Sequence, residues 1–354
     1  MKNPSGSSGK RSEIKSSPRS VTKTSRFHPN KAYHNFEPNP RTLKTFISLR
    51  CLFFLVIEMV EIENVRLISV VGAGTMGTLI GQVFATYGFQ VKLRDIDERI
   101  LKRSVETMKS GRFGINRLVE KGKITQVEAD AILSRVKTTI DLEEALKDSD
   151  FTIEAVPENM ELKKKVLKQL DELSPPDTIL ASNTSSLSIS EIATATKRPE
   201  RVIGMHFFNP PPIMKLIEVI KGIKSSSEAI EVTVALSKKI DHIPIVCKDS
   251  PAFIASRILV AAVNEAFWLL QEGVATVEDI DTACKLGLGW PMGPFELCDL
   301  TGLDINLDVL EYLQKETGDP KYRAPLIMKK LVRGNYLGKK VNKTIYDYAK
   351  EREK

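Results

Sequence analysis

Six residues, Gly72-Ala73-Gly74-Thr75-Met76-Gly77, constrain this chain more than any other stretch. They follow a short apolar run, Arg66–Val71 (RLISVV), that reads as a buried strand. They open a helical pattern over Thr75–Tyr87, ended by Gly88. In that context each glycine has a separate use. Gly72 makes the tight turn, Gly74 lets a pyrophosphate approach the backbone, and Gly77 lets helix and strand pack closely. The phosphates would sit on the free N–H groups of the first helical turn, where Thr75 and Met76 lie, at the positive end of the helix dipole. Asp95 ends the next strand signal, Gln90–Arg94, where a carboxylate can hydrogen-bond a ribose hydroxyl. Strand, turn, helix and acid together predict a dinucleotide site. The acid favours NAD, since it would repel the extra phosphate of NADP. Arg94, its neighbour on the strand, should point to the opposite face.

Beyond the turn, strand and helix patterns alternate. Further strands read over Phe151–Val156, Thr178–Ser182, Arg201–His206, Leu216–Ile220 and Ile243–Val246, and Thr125-x-x-Glu128 and Ser188-x-x-Glu191 resemble capping boxes that open helices. Such alternation predicts a Rossmann-type, doubly wound parallel sheet. After Ser250-Pro251 the strand signals stop and helical spacing takes over, from Phe253–Leu270 through a helix that begins at Thr276 and ends at Gly287. The expected division is therefore an NAD-binding α/β domain over residues 59–250 and a smaller all-helical domain over residues 251–354.

Residues 1–58 carry the charge. They hold eleven Lys/Arg and three Glu, whereas the remainder has 41 basic and 42 acidic groups, so the formal +7 belongs to the tail. A basic tail on a near-neutral body gives no ground for a nucleic-acid partner. Residues 1–58 read as a disordered extension ahead of a start at Met59, with a mitochondrial transit peptide as the second reading. The longest apolar run, Phe46–Ile57, is broken by Arg50 and falls short of the roughly 18 residues a membrane span needs. The four cysteines are scattered, with no partner His at ligand spacing, which argues against a metal site or a disulfide framework. The expectation is a cytoplasmic protein, or one of the mitochondrial matrix if the tail is a transit peptide.

Ligands of open α/β sheets lie beyond the carboxyl ends of the strands. Three polar clusters fall at such ends: Glu154-Ala-Val-Pro-Glu158-Asn159, Ser182-Asn183-Thr184-Ser185-Ser186 and His206-Phe-Phe-Asn209-Pro210. His206 suits proton transfer, which must accompany hydride loss from a carbinol carbon. Glu218, a polar residue inside the apolar run Lys215–Ile220 (KLIEVI), is a candidate to orient the imidazole, although on pattern alone the default is a solvated residue on a strand's outer face.

These motifs resemble the L-3-hydroxyacyl-CoA dehydrogenases. The stretches that carry the likeness are VVGAGTMG (70–77), IEAVPEN (153–159), ASNTSSLSI (181–189), GMHFFNPPPIMKLIEVI (204–220), SPAFIASR (250–257) and PMGPFELCDLTGLD (291–304), in the family's order. The resemblance implies NAD-linked, reversible oxidation of an (S)-3-hydroxyacyl-CoA, with a short chain such as 3-hydroxybutyryl preferred. It implies His206 as base, Glu218 as its orienting carboxylate and Ser185 against the reacting oxygen. For the cofactor it implies Gly72, Gly74, Thr75, Met76, Gly77 and Asp95, joined by Glu158, Lys163, Asn183, Asn209 and Lys340. It further implies a homodimer built on the helical domain and an acyl-CoA partner. Two departures stand out. The family usually has Gly at Ala252 and Asn at Ser256, where the Asn helps bind substrate, and the glycines that follow Lys340 in the family are replaced here. These leave open an NAD-binding protein with little turnover; the other alternative is a dehydrogenase of a free hydroxy acid or sugar acid on a similar scaffold, against which the complete PMGPFELCDLTGLD segment favours the CoA enzyme.

Overall fold

The computed structural model describes residues 65–352. The expectations for the basic tail, for a start at Met59 and for the apolar run lie outside the described residues. Eight strands form one sheet: β1 (Leu67–Val71), β2 (Gln90–Arg94), β3 (Val136–Thr139), β4 (Phe151–Glu154), β5 (Ile179–Ser182), β6 (Val202–Phe207), β7 (Leu216–Lys221) and β8 (Ile243–Lys248). Their spatial order is β3-β2-β1-β4-β5-β6-β7-β8. The first six run parallel, which confirms the Rossmann-type reading, and β1 pairs with both β2 and β4, so the chain reverses its winding there. The last two strands correct the all-parallel expectation. β7 is antiparallel to β6, because residues 208–215 are too few for a parallel crossover, which takes a dozen or more. Strand β3 was not expected from the sequence.

Helices α1 (Thr75–Thr86), α2 (Glu98–Ser110), α3 (Asn116–Glu120), α4 (Gln126–Ser134), α5 (Leu142–Leu146), α6 (Met160–Leu173), α7 (Ile189–Ala193) and α8 (Ser227–Lys239) accompany the strands. Strands β4, β5 and β6 are buried at every position, so their polar residues Thr152, Glu154, Ser182 and His206 are buried along with the apolar ones. One face packs Ile68, Val70, Leu93, Ile153 and Phe207 against α1 and its neighbours, and the other packs Val71, Leu180, Val202 and Ile220 with Leu167 and Leu170 of α6. The Thr125 capping box forms in full; at Ser188 the hydroxyl caps the Glu191 N–H without the reciprocal bond.

After β8 only helices follow: α9 (Ala255–Glu272), α10 (Val277–Gly287), α11 (Pro294–Thr301), α12 (Leu303–Thr317), α13 (Leu326–Arg333) and α14 (Ile345–Arg352). Their own core holds Val263, Phe267, Phe295, Leu310 and Met328, with the two phenylalanine rings edge to face at 4.9 Å. No helix among the described residues is long and apolar enough to cross a membrane.

Two buried aspartates tie the last helices together. Asp281 accepts the N–H groups of Phe295 and Glu296 at 2.9 Å each and the Tyr346 hydroxyl, while Asp299 accepts the Ile345 N–H at 2.9 Å where α14 begins. Burial pushes the Asp299 carboxyl up to about 6, with Asp347 adding to it and the Ile345 N–H opposing. A carboxyl that titrates higher when folded favours the fold in its protonated form, and that contribution is lost as pH rises through about 6. The stability of the parent chain relative to Asp299→Asn should therefore fall between roughly pH 4 and pH 7, by on the order of 2–3 kcal/mol. Chemical denaturation at the two pH values measures it; a difference that does not change with pH contradicts the assignment.

Candidate active site

The glycine turn lies where β1 leaves the sheet between β2 and β4. Gly72 has φ +104°, a left-handed conformation that side chains rarely adopt, and a Cβ there would stand 2.6 Å from the Ala155 carbonyl oxygen. At Gly77 a Cβ would stand 1.8 Å from the Gly72 carbonyl oxygen, so helix α1 can approach the turn only without a side chain. Gly74 differs. A Cβ there would meet nothing within 4 Å, and Gly74 caps α1 with no side-chain bond. The first-turn N–H groups, with Thr75 and Met76, are thus left to a ligand on the open side. Asp95 accepts the Ala73 N–H on Oδ2 at 2.8 Å, which brings the acid to the turn, and Arg94 turns away to the Ile140 carbonyl at 3.2 Å. Backbone donors, open space and an acid suited to ribose hydroxyls fit NAD.

His206 and Glu218 sit directly opposite each other on β6 and β7. The short reversal that made this pair antiparallel is what sets their side chains on one face, close enough to bond. His206 Nδ1 meets Glu218 Oε2 at 2.8 Å, with both residues buried. The other oxygen, Oε1, accepts the N–H groups of Ile254 at 3.2 Å and Ala255 at 2.9 Å, at the start of α9. Burial alone would push the Glu218 carboxyl up; the bond from His206, those two N–H groups and the imidazole's charge outweigh it and hold the carboxyl below the usual range. An ionised Glu218 accepts a hydrogen bond from Nδ1–H, which leaves His206 Nε2 as the acceptor. The imidazole neighbours the rings of Phe208 and Phe253, with ring centroids 4.5 and 5.9 Å away.

The second polar cluster folds around Glu158. Its Oε1 faces Thr184 Oγ1 at 2.6 Å, the Ser185 N–H at 2.9 Å and Ser185 Oγ at 3.2 Å, and also the N–H and hydroxyl of Ser186 at 3.2 and 3.1 Å. Asn183 Oδ1 accepts the Phe207 N–H at 2.9 Å and so ties this loop to the strand of His206. Lys163 is buried and lies between two carboxylates, Glu154 Oε1 at 2.9 Å and Glu158 Oε2 at 3.3 Å. Burial would raise the Glu158 carboxyl, but the Lys163 charge and the Thr184, Ser185 and Ser186 donors hold it below the usual range.

The remaining expected residues fall less centrally. Ser256 is the second residue of α9, beside the N–H groups that hold Glu218, and its hydroxyl has no partner among the described residues. Asn209 is exposed just past β6, before a cis bond to Pro210. Lys340 is not brought to the glycine turn by any bond: its ammonium is paired with both oxygens of Asp304 at 2.6 Å, within the helical part. Asp249 was not singled out by sequence reasoning, and Glu154 was noted only as the first residue of a polar cluster, with no role given to it. Asp249 accepts Ser188 Oγ at 2.8 Å and the Ser190 N–H at 2.7 Å, which anchors the far end of the serine-rich loop. The signal for Glu154 was a lone acid closing an apolar strand.

The two helix-opening glycines should separate when mutated. Gly74→Ala should leave thermal stability nearly unchanged and weaken NADH binding about tenfold or more, a difference of roughly 1.4 kcal/mol. Gly77→Ala should lose stability and binding together. Fluorescence titration with NADH and thermal unfolding test this, and equal behaviour of the two variants would contradict it.

Residues 67–250 match the 3-hydroxyacyl-CoA dehydrogenase NAD binding domain, and residues 253–348 match the 3-hydroxyacyl-CoA dehydrogenase C-terminal domain. A 3-hydroxybutyryl-CoA dehydrogenase of Clostridioides difficile is 46% identical over 283 residues, covering 80% of this chain and 99% of its own length. The mitochondrial hydroxyacyl-coenzyme A dehydrogenase of Homo sapiens is 40% identical over 287 residues, 80% of this chain and 91% of that one. Among solved structures, the (S)-3-hydroxybutyryl-CoA dehydrogenase of Ralstonia eutropha superposes with a TM-score of 0.76 at 43% identity, covering 79% of this chain and 98% of that chain. Both halves match in the order the fold presents them, and the glycine turn has the shape NAD requires. The chain belongs to the 3-hydroxyacyl-CoA dehydrogenase family and is an NAD-dependent oxidoreductase.

Proposed function

We propose that this protein interconverts (S)-3-hydroxyacyl-CoA and 3-ketoacyl-CoA, with 3-hydroxybutyryl-CoA as its preferred class of substrate. The observation that carries the reading is the buried His206–Glu218 pair at 2.8 Å, on the same sheet as a glycine turn shaped for a dinucleotide. NAD supplies the acceptor or donor of hydride at its nicotinamide ring. The chain's own residues manage the proton. His206 Nε2 takes the substrate hydroxyl proton in oxidation and returns it in reduction. Glu218 keeps the ring in the tautomer that leaves Nε2 free and stabilises the imidazolium once it forms.

Ser185 Oγ is the donor to the reacting oxygen, and Ser256, next to the Glu218 clamp, offers a second hydroxyl to the substrate. Gly72, Gly74, Thr75, Met76, Gly77 and Asp95 hold the adenine-nucleotide half of NAD, and Glu158, Lys163, Asn183 and Asn209 frame the other half. The Asp304 pair of Lys340 does not favour a direct cofactor contact for that lysine. A homodimer through the helical part accords with its exposed apolar side chains, among them Ile258, Leu286, Leu288, Leu300 and Ile305.

The test is the decay of NADH absorbance with acetoacetyl-CoA. The parent chain should turn over. His206→Ala should lower kcat by roughly 10²–10⁴ and leave the NADH dissociation constant within about twofold. Loss of cofactor binding in parallel, or retained turnover, would contradict the role given to His206.

A further inference from the structure

Beneath the serine-rich loop lies a stack of charges that proton transfer does not itself use. At its base is Glu154, the last residue of β4, with no solvent exposure. Its Oε1 accepts the Val156 N–H at 2.7 Å and Lys163 Nζ at 2.9 Å, and its Oε2 accepts Ser182 Oγ at 2.6 Å. The ammonium above it also reaches the Val156 carbonyl at 3.2 Å and, more loosely, Glu158 Oε2 at 3.3 Å. Glu158 then turns Oε1 to the loop. Five donors crowd that one oxygen, more than its lone pairs can serve well, and Ser185 Oγ at 3.2 Å is among the longest of them. Of the three hydroxyls on that oxygen the Ser185 hydroxyl is the most distant, and unlike the two backbone N–H groups it can rotate towards a better acceptor.

We propose that Glu154 is a positioning residue for the dehydrogenase reaction: it holds the Lys163 ammonium back from Glu158, and so lets Glu158 keep Ser185 where the reacting oxygen meets it. This rests on the reading of Ser185 as the donor to that oxygen. The physical reason is a competition between two carboxylates for one buried cation. Shared, the cation sits nearer Glu154 and leaves Glu158 free to face the loop. With Glu154 neutral, Glu158 becomes the only anion in contact with Lys163, and a buried cation with one counter-ion draws it in. Glu158 Oε1 would then turn off the loop and Ser185 would lose its register. The glutamine side chain drops the charge while its oxygen can still accept from Lys163 and Val156; its amide can donate to Ser182 Oγ, which reverses the direction of that one bond.

The experiment is a double-mutant cycle in the full chain, reading kcat and KM for acetoacetyl-CoA with saturating NADH, plus thermal unfolding. Glu154→Gln should lower kcat roughly tenfold, and the loss should largely vanish in a Ser185→Ala background. A purely structural role would give losses that multiply, and that result, or an unchanged kcat in Glu154→Gln, overturns the proposal. Ser185→Ala with parent kcat would instead remove the reading beneath it, so the two failures are told apart by the single variants. Should Glu154→Gln not fold, Glu154→Asp, which keeps the charge but draws it away from Lys163, goes through the same cycle. A smaller loss that vanishes with Ser185→Ala supports the proposal, and losses that multiply overturn it.

Discussion

Glu218 is where the sheet and the helices of this molecule meet. A carboxylate taken out of water costs several kcal/mol unless donors replace its hydration. Here three do: His206 from the neighbouring strand and the Ile254 and Ala255 N–H groups from the start of α9. None of the three is local in sequence to Glu218. The charge that orients the imidazole exists only when the reversal between β6 and β7 and the placement of α9 are both correct, so the geometry of the reactive pair reports on the fold of both parts.

The linker that delivers α9 to Glu218 is correspondingly constrained. Ala252 and Phe253 have φ of +57° and +51°, left-handed values that cost side chains of this kind roughly 1–2 kcal/mol each. What holds them there is on both sides: the Ala252 N–H donates to the Ser186 carbonyl at 3.1 Å, and the Phe253 ring is buried beside His206. The same segment carries Asp249, which clamps the serine-rich loop. Strain, loop and carboxylate therefore meet in seven residues, and a change in the linker reaches Ser185 and His206 together.

Much of this architecture was legible in the sequence because it obeys local periods. The buried runs at Leu67–Val71 and Phe151–Glu154, the glycine turn and Asp95 all announce themselves within a few residues. Strand β3 was not legible, since Val136–Thr139 (VKTT) holds one apolar residue on the sheet edge. Glu218 could be noticed as an acid in an apolar run, but whether it faced solvent or His206 depended on the antiparallel register. The Glu154–Lys163 pair was hidden for a similar reason: strand and helix bring together two residues that pattern alone would leave on separate surfaces. Lys340 is a different case: likeness of motif suggests a cofactor contact, and in the structure its ammonium is paired with Asp304, a partner that the motif alone does not indicate.

The most direct test of the central pair is the kcat of Glu218→Gln with acetoacetyl-CoA and NADH at saturation, beside its NADH dissociation constant. Gln keeps the shape and can still accept one bond, but it cannot stabilise an imidazolium as a carboxylate does. A fall in kcat by roughly 10²–10⁴ with cofactor binding within about twofold is the expected result. Turnover equal to the parent chain would contradict the claim that Glu218 orients and charges the base.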